Sequence, residues 1–536
     1  MANSSQLPTM TIWIRFYIIC MGICLLLCFS SCNDDSVTID IDDFSTPDIT
    51  PADDERVKGE IDRFCGDCHA PPPASALPRD GWFKEVELGF TLYEESGRTD
   101  LKLPKRGEIV DYYRRHAPAK LSTPPTAAKN PPGSVKFSES THPLPAATVN
   151  QSTTFPPAIS NLQWYDKADT EWLPRSTLVV CEMRAGAVYE VHFDGTEITY
   201  GRQAKVAHPS HTTLVDLDQD GQGEYLVADL GSFLPEDHAK GQVIWLRPQP
   251  DTDAFDPVAL VTGLGRVTDI QPGDFNQDGK TDLLVAEFGW RLTGNVWLLI
   301  NTGIKNGIPQ YDKQLIDDRH GVIHIPVTDI NGDGHLDFVS LISQEHESIE
   351  LFINRGDGTF RRKKVFSAEN PVWGSTGIDL YDMDHDGDLD ILFTNGDIFD
   401  TFYIVPYQAA HWIENLGDLQ WKTHVLHSMP GIHRAIAGDL DHDGDEDVVC
   451  CSLIGPQVLQ DDSGESLDSL IWLEQTAPGK FTARAIESDN AHHATAVMGD
   501  FDQDGDLDIA TAQFDDEFVT PRRDISIWWN NSIIQR

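Results

Sequence analysis

Six copies of a short acidic loop recur along the second half of this chain, and they constrain its fold more than any other feature. Each copy has the pattern Asp-x-Asp/Asn-x-Asp-Gly-x-x-Asp/Glu, and successive copies begin 58, 55, 53, 57 and 61 residues apart. They begin at Asp216, Asp274, Asp329, Asp382, Asp439 and Asp500. Repetition at a period of this size indicates a stack or ring of similar small units.

The pattern that the six loops share supplies only oxygen ligands, which favours a hard divalent cation such as Ca²⁺ over zinc or copper. One ion in each of the six loops makes six Ca²⁺ ions the expected complement. The predicted ligands, loop by loop, are Asp216, Asp218, Asp220 and Glu224; Asp274, Asn276, Asp278 and Asp282; Asp329, Asn331, Asp333 and Asp337; Asp382, Asp384, Asp386 and Asp390; Asp439, Asp441, Asp443 and Asp447; and Asp500, Asp502, Asp504 and Asp508. The alternative is a set of acidic turns that bind no metal.

The loops differ from an EF-hand, which requires an acidic twelfth residue and flanking helices. Their twelfth residues are Val227, Val285, Ser340, Phe393, Cys450 and Thr511. Most of the loops run into a short apolar segment rich in β-formers, such as Leu283-Leu284-Val285. Each loop is therefore predicted to be the turn of a strand–turn–strand hairpin.

This repeated loop resembles the FG-GAP/VCBS repeat family, also seen in the propellers of integrin α-subunits, over about residues 156–536. The resemblance implies a β-propeller with four strands in each blade. One period before Asp216, residues 159–165 and 178–181 have the pattern of a blade without an acidic loop, which makes seven blades. Residues 133–137 read like the entry to an outer strand, so we predict that this segment completes the last blade and closes the ring.

The N-terminal segment has the pattern of an export signal. Arg15 precedes an apolar run over residues 16–29, which is short for a membrane span. The run ends in Phe29-Ser30-Ser31-Cys32, which resembles a bacterial lipobox, and the acidic residues that follow resemble surface-export signals of lipoproteins. The resemblance implies cleavage after residue 31, lipidation of Cys32, and an extracytoplasmic chain anchored to a bacterial membrane, the outer one. An uncleaved anchor helix is the alternative.

Residues 65–69 read Cys-Gly-Asp-Cys-His, the attachment motif of c-type haem. In that interpretation Cys65 and Cys68 form thioethers with the haem vinyl groups, and His69 is the proximal iron ligand. A redox dithiol or half of a zinc site are the alternatives, although no second cysteine pair lies nearby.

The flanks of this motif resemble a small class I cytochrome c domain. Val57, Ile61 and Phe64 have helical spacing, and residues 108–116 read as a closing helix. The distal ligand usual in that family is Met, but no Met lies between Cys32 and the propeller. His116 or a Lys is then the candidate distal ligand, or the position is open, and the absence of Met argues against an ordinary high-potential carrier.

Composition agrees with this organisation. The formal net charge of −46 excludes nucleic acid as a partner. The expected fold class is mainly β, a seven-bladed propeller preceded by a small all-α cytochrome c-like domain. The predicted segments are a signal peptide (1–31), a tether (32–50), a haem domain (51–120), a Pro-rich linker with the possible closing strand (121–155) and the propeller (156–536). This arrangement resembles a class of bacterial lipoproteins with a CxxCH domain followed by FG-GAP/VCBS repeats.

The propeller resemblance also indicates a candidate functional face. In that geometry the acidic loops share one face, and the other connections bring polar residues to the opposite mouth of the central channel. The candidate catalytic or binding residues there are His320, His324, Glu345, His346, His433, Arg434 and His493. Such a set fits a polar ligand, an organic redox cofactor or a further metal, whereas the alternative is a merely solvated surface.

Two function classes stay open on the sequence. The first is a surface-tethered haem c electron-transfer protein whose calcium-stabilised propeller binds a redox partner protein, a glycan or a small molecule. The second is an oxidoreductase with its active site in the propeller channel and the haem as electron exit. Quinone-dependent dehydrogenases also combine propellers with c-type haem, but that is an analogy of fold alone.

Overall fold

The computed structural model describes residues 50–67, 69–129, 135–145, 156–250, 252–368, 370–399, 401–455, 458, 466–514 and 524–532. The chain divides into two compact units, Met1–Glu55 and Arg56–Arg536. The predicted signal segment, Cys32 and most of the predicted tether lie outside the described residues, as does Cys68. None of the helices that the structure describes is both long enough and apolar enough to cross a membrane.

Three α-helices precede the β-structure: α1 (Pro51–Phe64), α2 (Trp82–Glu95) and α3 (Arg106–His116). Val57, Ile61 and Phe64 are buried on α1, as their spacing predicts. Helix α3 begins two residues before the predicted segment and ends at His116, with basic residues in its last turn that complement the helix dipole. The three helices share one apolar core, in which Trp82 stacks on Tyr113 with ring centroids 3.8 Å apart.

The remaining chain forms seven antiparallel sheets arranged as the blades of a β-propeller. Blades 1 to 3 consist of β3 (Ile159–Tyr165), β4 (Thr177–Glu182), β5 (Ala187–Asp194) and β6 (Glu197–Lys205); β7 (Pro209–Val215), β8 (Glu224–Asp229), β9 (Gly241–Pro248) and β10 (Phe255–Leu264); and β11 (Val267–Gly273), β12 (Asp282–Glu287), β13 (Asn295–Lys305) and β14 (Ile308–Asp317). Blade 1 carries no acidic loop, in agreement with its sequence.

Blades 4 to 7 repeat this order, with the first strand of blade 4 split in two. They consist of β15 (Val322–His324), β16 (Val327–Thr328), β17 (Asp337–Ile342), β18 (Ser348–Asn354) and β19 (Phe360–Ser367); β20 (Gly377–Tyr381), β21 (Asp390–Thr394), β22 (Ala409–Asn415) and β23 (Trp421–Ser428); β24 (Ile432–Gly438), β25 (Asp447–Ser452), β26 (Asp468–Ala477) and β27 (Lys480–Ser488); and β28 (His493–Gly499), β29 (Asp508–Gln513), β30 (Ile525–Asn530) and β2 (Phe137–His142). The seven-bladed, mainly β prediction is confirmed.

Burial explains why these segments form stacked blades. The second strand of a blade is covered on both faces, so that every residue of β12 is buried. The fourth strand is the outer edge of its blade and consists of exposed and half-buried residues, as in β19. The apolar core lies between neighbouring blades; Phe501 of blade 7, for example, packs with Leu162 and Val191 of blade 1.

The ring is closed by a strand from the N-terminal side of the propeller. β2 pairs with β30 over its whole length, from Phe137 opposite Asn530 to His142 opposite Ile525. The predicted closing segment therefore does complete the last blade, although the strand begins only at the last residue of that segment. A further short strand, β1 (Ala128–Lys129), pairs in parallel with β27, which the sequence did not indicate.

The propeller has two faces with different connections. The acidic loops join the first strand of a blade to the second, and they define what we call the acidic face. Because the strands alternate in direction, the connections from second to third strand, and from one blade to the next, lie on the other side. We call that side the opposite face.

Candidate functional site

The six acidic loops share one backbone conformation. The fourth residue of each loop is left-handed, with φ between 58° and 71°, and the sixth is a left-handed Gly with φ between 81° and 102°. Only Gly adopts such a conformation without steric cost, which explains the Gly in every copy. In the first five loops the first Asp accepts hydrogen bonds from within the loop; in the second, Asp274 accepts from the backbone N–H groups of Asp278 and Gly279 at 3.0 and 2.8 Å.

Carboxylates converge within these loops. In four of them, oxygen atoms from three carboxylates lie within 4.8 Å of one another. These groups are Asp216, Asp218 and Glu224; Asp382, Asp384 and Asp386; Asp439, Asp441 and Asp443; and Asp500, Asp502 and Asp504. The second and third loops have Asn276 and Asn331 in place of one carboxylate, and Lys280 pairs with Asp278 at 2.7 Å in the second.

The ninth residue of each loop begins the second strand of its blade and is buried. Burial, together with nearby carboxylates, raises the pKa to about 7 for Glu224, Asp447 and Asp508, and to about 6 for Asp337 and Asp390. Two first-position oxygen atoms, Oδ1 of Asp216 and Oδ1 of Asp500, are buried without a hydrogen-bond donor among the described residues. Such crowded oxygen donors have the chemistry of a hard divalent cation site.

A second group of polar residues lines the centre of the propeller. In every blade, one polar or glycine residue of the first strand lies opposite the fifth residue of the second strand, so these seven residues occupy equivalent positions around the ring. These residues are Asn161, His211, Asp269, His324, Gly377, Arg434 and Thr495. We call this set the channel ring. It includes two of the sequence-predicted candidates, His324 and Arg434.

Charge pairs connect the channel ring. His211 Nδ1 lies 3.2 Å from Asp269 Oδ1, and the ring centroids of His211 and His324 are 6.4 Å apart. On the other side, Arg434 donates to Asp379 Oδ2 at 2.8 Å and to the Ile378 carbonyl at 3.1 Å. Arg434 reaches from blade 6 to blade 5 beside Gly377, where a Cβ would lie in ordinary van der Waals contact with the guanidinium, at 3.5 Å.

Titration in this ring follows from burial and charge. Although burial by itself raises the pKa of Asp269, the neighbouring His211 holds it well below its ordinary value. Burial and the positive charge of Arg434 lower the pKa of His324 to about 3, so that its imidazole is neutral at physiological pH. Burial likewise lowers the pKa of His433 to about 4, and its Nδ1 lies 2.9 Å from the Ala494 carbonyl.

The remaining sequence-predicted candidates lie in two other places. His320, Glu345 and His346 form a separate cluster, in which His320 Nε2 lies 2.9 Å from Glu345 Oε2. His493 is buried and its Nε2 lies 2.7 Å from Glu487 Oε2. The seven candidates therefore do not form one hydrogen-bonded cluster among the described residues. Sequence reasoning left Asp379 out. It lies on the first strand of blade 5, two residues after Gly377, and counting back a fixed number of residues from each acidic loop would have found it.

Comparison with protein families supports the interpretation of the repeats. Two overlapping stretches, residues 274–340 and 329–393, match the model of the FG-GAP-like repeat. The chain carries FG-GAP-like repeats. The matched stretches begin at the second and third acidic loops and end in the second strands of blades 4 and 5. A search among curated proteins found no match to this chain.

The helical region contacts the FG-GAP-like propeller on its opposite face. Tyr403, in the connection between β21 and β22, packs against the apolar core of the helices. In the same connection, the Phe402 ring lies 4.7 Å from Lys84 Nζ. A second contact joins blade 3, where Arg291 Nη1 lies 4.0 Å from Glu95 Oε2. The helices thus lie on the side away from the acidic loops.

The described part of the CxxCH motif fits the chemistry of covalent haem attachment. Cys65 begins a short 3₁₀ turn directly after α1 and packs, partly buried, against the apolar core of the helices. His69 Nδ1 lies 2.9 Å from the Ala70 carbonyl. If Nδ1 carries the proton, it donates to this carbonyl and leaves the Nε2 lone pair for a metal. His116, the candidate distal ligand, is exposed at the end of α3 with its ring 4.7 Å from that of Tyr112.

Proposed function

We propose that this protein is a surface-tethered haem c electron-transfer protein whose FG-GAP-like propeller binds a ligand or partner at the mouth of its central channel. The observation that carries this proposal is the contact of the helical region with the opposite face, through Tyr403 and Lys84. The first strand of each blade begins on that face, so a haem held by the helices would lie on the same side as the polar channel ring.

The haem assignment rests on the motif and its surroundings. Cys65, Cys68 and His69 are the residues that would hold the group, and a bound haem would supply one-electron chemistry. The protein's own contribution is to orient His69 through the Ala70 carbonyl and to cover the attachment site with aromatic residues of the helical core. We keep His116, a Lys or an open position as the candidates for the distal side.

We further propose that about six Ca²⁺ ions occupy the acidic loops, because buried carboxylates crowd there with few cationic partners among the described residues. Their role would be structural. Each loop precedes a buried second strand, and neutralising its carboxylates would stabilise the start of that strand.

Export and lipidation at Cys32 complete the proposal. They rest on the apolar run over residues 16–29 and on the Ser-Ser-Cys sequence that ends it. The mature chain would begin at Cys32, anchored to the outer membrane and facing away from the cytoplasm. Acyl chains give stable anchoring when two or more are attached.

An oxidoreductase is the second candidate, and the His211–Asp269 pair favours it. A buried carboxylate that lies against an imidazole fixes the orientation of the ring and supports proton transfer near neutral pH. His211, held by Asp269, would accept a proton from a bound alcohol, and the neutral His324, whose ring centroid lies 6.4 Å from that of His211, could hydrogen-bond to the same alcohol. If the protein is an oxidoreductase, the electrons taken from the substrate would leave through the haem.

The experiment uses the full chain produced in a host with c-type maturation machinery. Haem staining after denaturing electrophoresis should give a band that is lost in Cys65→Ser and kept in Cys181→Ala, which alters a buried thiol of the propeller. Absence of covalent haem from the native chain would refute the electron-transfer proposal.

Reduction of the haem then distinguishes carrier from enzyme. Candidate sugars and alcohols are tested with and without an added quinone cofactor. Reduction by one of them, lowered by about tenfold or more in Arg434→Gln, would favour the enzyme; one pKa unit or one lost charge pair is worth a factor of this size. Arg362→Gln is the control. This exposed Arg lies on the outer strand of blade 4, away from the channel, and pairs with Asp317 of blade 3. Reduction only by protein partners would favour the carrier.

A further inference from the structure

The cluster of His320, Glu345 and His346 lies where two connections of the opposite face meet at blade 4. His320 belongs to the connection from blade 3 to blade 4, and the other two belong to the connection between β17 and β18. One donor atom from each of the three side chains lies within 4.8 Å of the others. The ring centroids of His320 and His346 are 5.5 Å apart.

The backbone on both sides of the cluster is closely braced. Gly321 is left-handed, with φ of +87°, and a Cβ there would lie 2.8 Å from the Ser343 carbonyl. The Ser343 backbone N–H and hydroxyl both donate to the Gly321 carbonyl, at 2.8 and 3.0 Å. These bonds fix the connection that carries His320 against the connection that carries Glu345.

The turn that presents Glu345 and His346 is itself strained. It is a single 3₁₀ turn, Gln344–His346, whose first residue, Gln344, and whose following residue, Glu347, are both left-handed non-glycine residues, with φ of +55° and +38°. Such conformations are costly and persist where the surroundings hold them. Here the buried Glu347 carboxylate holds the turn, since it accepts from the backbone N–H groups of Gly374 and Ser375 at 3.1 Å.

The positive charge nearest to the cluster in sequence is already paired, so it does not compete with a cation for the three side chains. Arg319 is the nearest fixed positive charge in sequence, but its guanidinium is paired with Asp317 at 2.7 Å and with Glu350 at 2.9 Å. The imidazole nitrogen atoms of His346 have no hydrogen-bond partner among the described residues, and the three side chains are only partly buried. The cluster is therefore accessible, with one carboxylate and two imidazoles directed to one point.

We propose that His320, Glu345 and His346 bind a divalent first-row transition metal, with zinc as the reference ion. Two imidazoles and a carboxylate form a mixed nitrogen and oxygen donor set, which suits zinc or ferrous iron and distinguishes this site from the all-oxygen acidic loops. Three protein ligands leave at least one coordination position open, as in catalytic rather than structural sites. The proposal does not depend on haem attachment or on calcium in the loops.

The test measures zinc retained by the full chain after dialysis against excess Ca²⁺, which fills any hard-cation site. Wild type should retain one equivalent of zinc more than Glu345→Gln and His346→Ala, with affinity lowered at least tenfold in both variants. His424→Ala is the matched control, because His424 also pairs with a carboxylate, Glu414 at 2.6 Å, but in a pair that is not part of a three-donor cluster. It should retain as much zinc as wild type.

X-ray absorption at the zinc edge identifies the ligands independently of stability. A first shell of nitrogen and oxygen at about 2.0–2.1 Å, absent in His346→Ala, would support the site, whereas a sulfur shell at about 2.3 Å would assign the zinc to cysteine and overturn it. Equal zinc content in wild type and both cluster variants would also overturn it. Glu345→Gln retains a hydrogen-bonding group beside His320, and melting curves check that the variants fold.

Discussion

At the scale of single residues, the buried carboxylates that begin the second strands are the most informative side chains. Asp447 and Asp508 are almost inaccessible to solvent, and burial raises the pKa of each to about 7. Each also accepts a backbone hydrogen bond from the end of the third strand of its blade, at 2.8 Å from Gln475 and Asn530 respectively. The same residue thus links an acidic loop to the core of its blade.

We expect the metal-free protein to lose stability as the pH rises from about 4 to about 7. The folded carboxylates then hold protons that an unfolded Asp, with a pKa near 3.9, has already lost. This contribution to stability is fully present at a pH below the pKa of the unfolded chain, and it is lost as the pH rises through the pKa of the folded protein. Added Ca²⁺ would replace the protons and remove the loss. Melting temperatures at pH 5 and pH 7.5, in chelator and in Ca²⁺, measure the effect.

The paired substitutions Asp447→Asn and Asp508→Asn serve as the control for this pH dependence. They remove two titrating groups and should flatten the profile in chelator. Identical profiles with and without Ca²⁺ in the native chain would contradict the proposed role of the loops.

At the scale of elements, the closing strand β2 decides whether the propeller is a closed ring. Without it, β30 would be an exposed edge of an apolar sheet, which is a template for aggregation. Asn531 N donates to the Lys136 carbonyl at 2.8 Å just before the strand. Because hydrogen-bonded pairs alternate along an antiparallel ladder, the N–H of Ser138 points toward β30 and that of Thr141 points away.

Ser138→Pro should therefore destabilise the protein more than Thr141→Pro. The first substitution removes a ladder donor and leaves a carbonyl of β30 unpaired, at a cost of about 1–3 kcal/mol. The second removes an N–H on the open edge, where Pro is tolerated. Denaturant unfolding, with light scattering to detect aggregation, compares the two. Equal losses of stability would mean that β2 does not hold the ring closed through its ladder.

At the scale of the whole molecule, the helical region and the propeller meet through a few side chains of long blade connections. Tyr403 and Phe402 come from the connection of blade 5, and Arg291 comes from that of blade 3. Gly81 allows the close approach, since a Cβ there would lie 3.2 Å from the Tyr403 ring. The linker that follows α3 does not by itself fix this position.

We expect Tyr403→Ala to weaken this contact while leaving the propeller folded. Removing a packed aromatic ring costs the burial of its apolar surface, about 2–3 kcal/mol, and a cost of that size would raise the population of the undocked state by about 30-fold or more. Limited proteolysis in the linker over residues 118–127 should accelerate accordingly. Leu292→Ala is the control, because this side chain lies on the same face and is 89% exposed. Unchanged cleavage of the Tyr403 variant would contradict the docking role.

Much of the fold was predictable because its signals are local. The acidic loops repeat at a regular period, their glycines coincide with left-handed backbone, and the apolar runs after them form the buried second strands. The helix ending at His116 and the closing role of the segment before β2 also followed from short patterns of residues. The haem, calcium and lipid assignments depend on motifs of the same local kind, and they stay predictions.

The grouping of the candidate site residues was decided only by the tertiary structure. His211 pairs with Asp269, and Arg434 with Asp379, across 58 and 55 residues of chain, because the inner strands of neighbouring blades lie side by side around the ring. A list of histidines near blade connections could not separate the cluster around His320 from the buried His493, since both stand at similar positions in the sequence repeat. His320 meets Glu345 because the connection from blade 3 to blade 4 lies against the connection between β17 and β18. Packing between the blades fixes that contact, and no local pattern of residues does.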